Sequence, residues 1–223
     1  MSNGILEKHI KQYCSPELRG LLSLSVTEAY RFLDDLIKTN AILQRPEMKQ
    51  THGYIRKGLV DVAIKEVFSK ARMKYKIADK TTSKYRNGHT YLMVEVKGAI
   101  ITPAKVVQAH DFPRAAKNRT FNSLKNRQMN LFSNPDDINA KYDKNNPPYM
   151  IITYGGSDHK LEFVRLGLPL EDASGWIDQL DITKVPVLLA NKKEIVDELN
   201  LSLTKEATRL IEESEKNGEY EVI

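Results

Sequence analysis

The sequence predicts an α+β protein, with helices at both ends of the chain and an antiparallel sheet in the middle. Apolar residues recur at helical spacing within residues 1–72 and again within residues 190–217. In the β-rich region between them, residues 73–189, they alternate with polar residues as they do in strands. At 223 residues the chain can bury a sizeable core, so we expect a single domain over residues 1–223.

Three apolar stripes predict three helices in the N-terminal region. Ser25 and Glu28 have the spacing of a capping box, in which each side chain binds the other residue's free backbone N–H, so they predict a helix start. Arg45-Pro46 marks the end of that helix. The stripes are Leu6, Ile10 and Tyr13, then Val26, Tyr30, Leu33 and Ile37, then Val60, Ile64, Val67, Phe68 and Ala71.

Two hairpins are predicted in the β-rich region. Residues 74–86 and 89–98 flank Asn87-Gly88, the preferred pair for a two-residue type I′ turn. Gly98 then bends the chain into a third strand, residues 100–107, for which Pro103 indicates an edge position. The second hairpin joins residues 149–154 and 160–168 through Gly155-Gly156-Ser157-Asp158.

The remaining segments are a basic helix, a loop and C-terminal helices. Residues 113–127 are expected to be helical, and the Asn-, Asp- and Pro-rich residues 133–148 are expected to form a loop. Asn191 and Glu194 have capping-box spacing at the start of the C-terminal helical region. Further core candidates are Trp176, Ile195, Leu199, Ala207, Leu210 and Ile211.

Charge is distributed unevenly along the chain. Residues 45–86 contain twelve Lys/Arg against four Asp/Glu, a net charge of +8, and residues 105–127 contain six against one, a net charge of +5. Residues 190–223 contain five against nine, a net charge of −4. The basic regions favour contact with nucleic acid, or else are solvated lysine faces. We expect DNA contacts from Arg56, Lys57, Arg114, Lys117 and Arg119.

The N-terminus and the cysteine content predict a cytoplasmic protein. The first 14 residues include charged residues where a signal peptide needs an apolar run. No apolar run in the chain is long enough to span a bilayer. Cys14 has no partner for a disulfide, which fits a reducing compartment, and we expect it to be a buried thiol rather than a nucleophile. The histidines, His9, His52, His89, His110 and His159, show no zinc-ligand spacing.

Glu95-Val96-Lys97 with Asp79 upstream resembles the Asp…Glu-x-Lys signature of the restriction-endonuclease-like nucleases. The resemblance implies two carboxylates that hold Mg²⁺ and a lysine that positions the attacking water, with Glu66 as a further match on the preceding helix. A two-residue Asn87-Gly88 turn pairs Asp79 with Val96, however. Asp79 then points to the opposite face of the sheet from Glu95, which disfavours a shared metal ion.

Gln128-Met129-Asn130-Leu131-Phe132 resembles the short peptide with which bacterial replication and repair proteins bind the sliding clamp. Gln128 matches the motif's glutamine, Met129 replaces a leucine, and Leu131-Phe132 match its apolar end. The resemblance implies that the Leu-Phe pair enters a clamp pocket while the Gln amide orients the peptide. The alternative is that Met129, Leu131 and Phe132 pack against the protein's own core.

Three functions therefore remain open. The first is a non-enzymatic replication protein that docks on the bacterial sliding clamp through Gln128, Met129, Leu131 and Phe132, needs no cofactor and touches DNA. It would be an accessory factor, or a replication inhibitor of the phage or toxin type. The second is a Mg²⁺-dependent nuclease that uses Asp79, Glu95 and Lys97. The third is a regulatory module in which both resemblances are coincidental.

Overall fold

A computed structural model shows a six-stranded sheet with a layer of helices packed on one face. It describes residues 4–71, 73–81, 90–130, 147–157, 159–187 and 192–218. The predicted α+β class is confirmed. The helices are α1 (Ile5–Tyr13), α2 (Leu18–Thr39), α3 (Thr51–Lys70), α4 (Lys117–Ser123) and α5 (Lys192–Gly218), with 3-10 segments at Pro46–Gln50 and Leu124–Asn130. The strands are β1 (Tyr75–Thr81), β2 (Thr90–Val96), β3 (Ala99–Lys105), β4 (Tyr149–Gly155), β5 (Phe163–Pro169) and β6 (Trp176–Asp181).

The helical layer is built from the predicted apolar stripes, but α2 begins earlier than predicted. Ser25 lies inside α2, where its Oγ donates to the Leu21 carbonyl at 2.7 Å, so the predicted capping box is wrong. The helix extends back to Leu18 because Leu18, Leu21 and Leu22 are all buried in the core. Asn191, the other predicted cap, lies outside the described residues. Within the described ranges, no helix combines the length and apolarity needed to cross a bilayer.

The turn between β2 and β3 is attached to α1. His9 Nε2 donates to the Gly98 carbonyl at 2.8 Å, and Gly98 has φ +81° with the Tyr13 carbonyl too close for a Cβ. Cys14 lies beside this contact, is buried as predicted, and has its thiol pKa raised to about 12 by burial. The thiol is therefore protonated over the whole physiological range, which makes it unsuited to nucleophilic attack.

The sheet consists of two antiparallel meanders joined by a parallel pair. The strand order is β1-β2-β3-β4-β5-β6, and every neighbouring pair is antiparallel except β3 and β4. Side chains on one face, including those of Val94, Ile152 and Leu166, pack against the helices. Because parallel strands need a crossover connection, the chain between β3 and β4 must leave the sheet and return.

The register of the first hairpin differs from the predicted one by four residues. Asp79 pairs with Leu92 instead of Val96, and Glu95 pairs with Lys76. The observed register sets apolar Tyr75 and Ile77 opposite Val96 and Val94, whereas the predicted one set polar residues there. Packing against the helices therefore accounts for the register of the described strand residues, and Asn87-Gly88 lie outside the described residues.

β3 lies in the interior of the sheet, so the predicted edge position is wrong. The Ile100 N–H donates to the Pro148 carbonyl and the Val106 N–H to the Tyr154 carbonyl, so even-numbered residues donate toward β4. The nitrogen of Pro103 is therefore directed toward β2. The described pairing of β3 with β2 ends at Ile101, so Pro103 removes no hydrogen bond from the described ladder.

The crossover covers part of the second face of the sheet. Phe112 and Trp176 pack there, with ring centroids 4.7 Å apart, against a small cluster that includes Ile100 and Ile151. Trp176 was predicted as a core residue, but it is only partly buried, at the rim of this cluster. The predicted helix at residues 113–127 is shorter than expected, since α4 gives way to the 3-10 segment at Leu124.

Asn126 fixes the end of the described crossover to the sheet. Its Nδ2 donates to the carbonyls of Tyr149 at 2.8 Å and Pro169 at 3.1 Å, and its Oδ1 accepts from the Tyr149 N–H at 2.8 Å. The side chain is completely buried. It therefore satisfies the backbone where β4 begins and β5 ends.

We expect Asn126→Ala to lower the free energy of unfolding by about 3 kcal/mol, because it leaves three buried backbone groups without their partner. Urea denaturation followed by circular dichroism measures this change. Asn40→Ala is the matched control, because it removes one exposed side-chain hydrogen bond and should cost less than about 1 kcal/mol. Equal losses for the two variants would contradict the anchoring role of Asn126.

Candidate nucleic-acid interface

Three adjoining cavities form a groove at one end of the sheet, which we call the basic cleft. The central cavity, of about 620 Å³, shares Lys57, Pro103 and Arg119 with a second cavity of about 480 Å³. It shares Arg56 and Lys105 with a third cavity of about 470 Å³. The shared walls make the three cavities one continuous surface.

The basic cleft lies at the carboxyl ends of the parallel strands β3 and β4. Lys105 and Val106 enter it from the end of β3, Tyr154 from the end of β4, and Arg56 and Lys57 from α3. The crossover that leaves β3 supplies the opposite wall. Ligands bind outside the carboxyl ends of parallel strands in many open sheets, because the connections diverge there.

The charge lining the basic cleft is almost entirely positive. One acidic residue, Asp111, lies among the lining residues that the structure describes, and its Oδ2 accepts the Gln108 N–H at 2.8 Å. Lys57 makes an ion pair with Asp61 on its own helix. The seven Lys/Arg residues of the lining are Lys49, Arg56, Lys57, Lys105, Arg114, Lys117 and Arg119. These include all five residues for which the sequence predicted DNA contacts.

Arg119 holds the crossover wall in shape. Its guanidinium donates from both Nε and Nη2 to the Arg114 carbonyl, which ties the start of α4 to the preceding loop. Burial lowers the pKa of Arg119, although a guanidinium remains charged at physiological pH. Arg114 and Lys117 themselves are exposed and directed to solvent.

Two partly exposed aromatic residues stand among the cations of the basic cleft. Phe112 lines the central cavity and is backed by Trp176, and Tyr91 lines the second cavity next to Lys117 and Arg119. No sequence motif identifies either aromatic residue. Tyr91 belongs to β2 and reaches the crossover only through the tertiary fold.

Arg56 is the most buried cation of the basic cleft, with only 6% of its surface exposed. Its guanidinium carbon lies 5.1 Å from the centroid of the Tyr30 ring, a cation–π contact, and its Nη2 donates to His159 Nδ1 at 3.1 Å. Its Nε has no hydrogen-bond partner among the described residues. A buried guanidinium with a free donor is costly unless an anion completes its shell.

His52 and His159 continue the contact made by Arg56 as a chain of hydrogen bonds. His52 Nε2 lies 2.8 Å from the Leu43 carbonyl, which can only accept, so this nitrogen carries a proton. In the neutral ring, His52 Nδ1 is then an acceptor for His159 Nε2 at 3.3 Å. His159 Nδ1 is left to accept from Arg56, since a guanidinium can only donate.

Sequence reasoning missed this histidine pair. The two residues are 107 positions apart, and neither belongs to a recognisable motif. His159 follows the predicted turn of residues 155–158, has φ 65°, and packs its ring against that of His52 on α3. The turn itself was predicted from Gly155-Gly156, but its contact with the helical layer depends on the tertiary fold.

The residues of the nuclease resemblance occupy separate places along the described backbone, and the side chain of Asp79 is outside the described residues. Position 79 pairs with Leu92, a residue of the helix-covered face, whereas Glu95 pairs with Ile100 of the second face. Lys97 is exposed at the β2–β3 turn. Glu66 lies on α3, where its charge contributes to the raised pKa of Lys70. Among the described residues, no group of three His, Cys, Asp or Glu side chains is arranged to hold a metal ion.

The clamp-like peptide falls mostly outside the described structure. Gln128 and Met129 belong to the 3-10 segment Leu124–Asn130, but their side chains are outside the described part, as are Leu131 and Phe132 entirely. The described neighbour Arg127 is exposed and forms an ion pair with Glu171, Nε to Oε2, at 3.7 Å.

Comparisons with known proteins return no relative. No protein-family model matches the chain, and no curated protein or solved structure matches it significantly.

We expect ¹⁵N NMR to show that the neutral forms of the His52 and His159 rings carry their proton on Nε2, because each Nδ1 accepts a hydrogen bond. The exposed His110 is the internal control and should show the averaged signals of an exchanging ring. A proton on Nδ1 of the neutral ring of either His52 or His159 would contradict the hydrogen-bond chain.

Proposed function

We propose that the protein binds single-stranded nucleic acid by its phosphate backbone in the basic cleft. The observation that carries this proposal is the charge of the lining, seven Lys/Arg against one Asp along three continuous cavities. Phosphate contacts supply most of the affinity in such complexes, because each neutralised phosphate releases condensed counterions. A lining of this sign attracts a polyanion and repels a basic partner.

The aromatic residues favour a single strand over a duplex. Phe112 and Tyr91 lie beside the cations, so unpaired bases could stack on them while the backbone follows Arg114, Lys117 and Arg119. Stacking on an aromatic ring is open to any base, and phosphate contacts carry no sequence information. We therefore expect little sequence preference.

A second proposal concerns the partner. We propose that the protein docks on the bacterial sliding clamp through Gln128, Met129, Leu131 and Phe132, as an accessory or inhibitory factor of DNA replication in the cytoplasm. The described neighbour favours it, since Arg127 is exposed directly after the anchored Asn126.

We expect Arg114→Ala with Lys117→Ala to weaken binding of a fluorescein-labelled thymine oligonucleotide about tenfold, because the pair contributes two phosphate contacts. The slope of log K against log salt should fall by about 1.4, about 0.7 for each lost contact. Fluorescence anisotropy over a salt series measures both quantities.

The matched control is Lys193→Ala with Lys205→Ala on α5, which lowers the net charge by the same amount at exposed positions far along the chain. It should leave the affinity within about twofold of the wild type. Equal weakening by both double variants would show that binding follows net charge alone and would contradict the basic cleft.

We expect Leu131→Ala with Phe132→Ala to abolish capture by an immobilised bacterial sliding clamp, because the variant lacks the apolar pair that would fill the clamp pocket. Phe121→Ala with Leu124→Ala removes two exposed apolar side chains just upstream and should leave capture unchanged. Thermal melting of each variant shows whether the fold survives. Wild-type protein that fails to bind the clamp would refute this second proposal.

A further inference from the structure

One end of the basic cleft differs chemically from the rest. The third cavity, which we call the histidine pocket, is lined by Lys49, His52, Arg56, Lys105 and His159, together with Ile37, Leu43, Gln44 and Gly156. It shares lining residues with the central cavity but none with the second one, so it lies at one end of the series. A strand that follows the cleft would therefore reach it with a terminus or leave the cleft through it.

The described lining of the histidine pocket is positively charged. This described lining contains three Lys/Arg and two histidines, and no Asp or Glu. Burial and the nearby charge of Arg56 together lower the pKa of Lys105. Two cations that disfavour each other in this way are stabilised together by a bound anion, so the pocket is suited to a group of high negative charge.

Arg56 is the cation of the histidine pocket whose orientation is fixed by its neighbours. Its Nη2 donates to His159, and its contact with the Tyr30 ring fixes the plane of the guanidinium. The buried Nε has no hydrogen-bond partner among the described residues. The side chain is thus oriented in advance for a ligand oxygen. An oriented, desolvated guanidinium binds phosphate oxygens more strongly than a mobile surface lysine does.

The charge and the number of donors favour a phosphate monoester over an internal phosphodiester. A phosphodiester has one negative charge and two free oxygens, whereas a monoester has three free oxygens and carries close to two charges at neutral pH. The guanidinium of Arg56, together with Lys105 and Lys49, lines the pocket and provides three sources of donors for those oxygens. The His52–His159 chain keeps Arg56 in position.

We infer that the histidine pocket binds the terminal phosphate of a nucleic-acid strand, so that the protein prefers phosphorylated strand ends over hydroxyl ends. The inference rests on the proposed binding of a single strand in the basic cleft and adds a specificity to it. The same chemistry would be present in a free nucleotide, which lacks the following backbone for the rest of the cleft.

The test compares three thymine oligonucleotides of one length, with a 5′-phosphate, a 3′-phosphate or hydroxyls at both ends. We expect at least one phosphorylated strand to bind about tenfold more tightly than the hydroxyl strand, since a dianionic group gains charge-assisted hydrogen bonds there. Lys49→Ala with His159→Asn should reduce that preference to about twofold or less. Lys49 is exposed and asparagine accepts the left-handed conformation of residue 159, so the variant should fold.

Two controls separate the outcomes. Lys205→Ala should keep the full preference for the phosphorylated end, and thymidine monophosphate should compete for the wild type only at far higher concentration than the strand. Equal affinity for all three strands would overturn the inference while leaving the proposed function intact. Competition by thymidine monophosphate as strong as by the phosphorylated strand would also overturn it, in favour of a nucleotide site. Failure of every strand to bind would refute the proposed function itself.

Discussion

The parallel pairing of β3 with β4 is the constraint on which the rest of the structure depends. Two antiparallel meanders could have been joined through an ordinary hairpin, but a parallel pair forces the connecting chain to leave the sheet and return. That chain becomes one wall of the basic cleft, while α3 becomes the other. Asn126 secures its return by binding the backbone at both β4 and β5.

The concentration of positive charge in the basic cleft destabilises the folded protein. Arg56 is buried beside Lys105, and the described lining offers a single carboxylate, so unliganded protein keeps cations close together without full compensation. The large core beneath the helices, with residues such as Leu22, Phe68 and Ile152 fully or almost fully buried, supplies the stability that tolerates this. Ligand-binding sites commonly contain arrangements that lower the stability of the free protein, because the bound ligand compensates for them.

Local sequence patterns predicted the helices and strands, and long-range packing determined their register and contacts. The stripe from Val60 to Phe68 and the alternation from Leu92 to Val96 depend only on neighbouring residues, and both are confirmed. The hairpin register could not be derived from Asn87-Gly88, because it follows from Tyr75 and Ile77 packing on the helices. The five predicted DNA-contact residues converge, yet the His52–His159 contact joins segments that no sequence pattern connects.

The central claim is that a nucleic-acid strand occupies the basic cleft, and amide chemical-shift mapping tests it most directly. ¹⁵N-labelled protein would be titrated with a 5′-phosphorylated thymine oligonucleotide, and the shifted amides assigned to the chain. The account predicts that the largest shifts fall at residues 53–57, 103–107 and 111–119, which form the two walls. Shifts concentrated on the exposed face of α5, or no shifts during saturating titration, would contradict it.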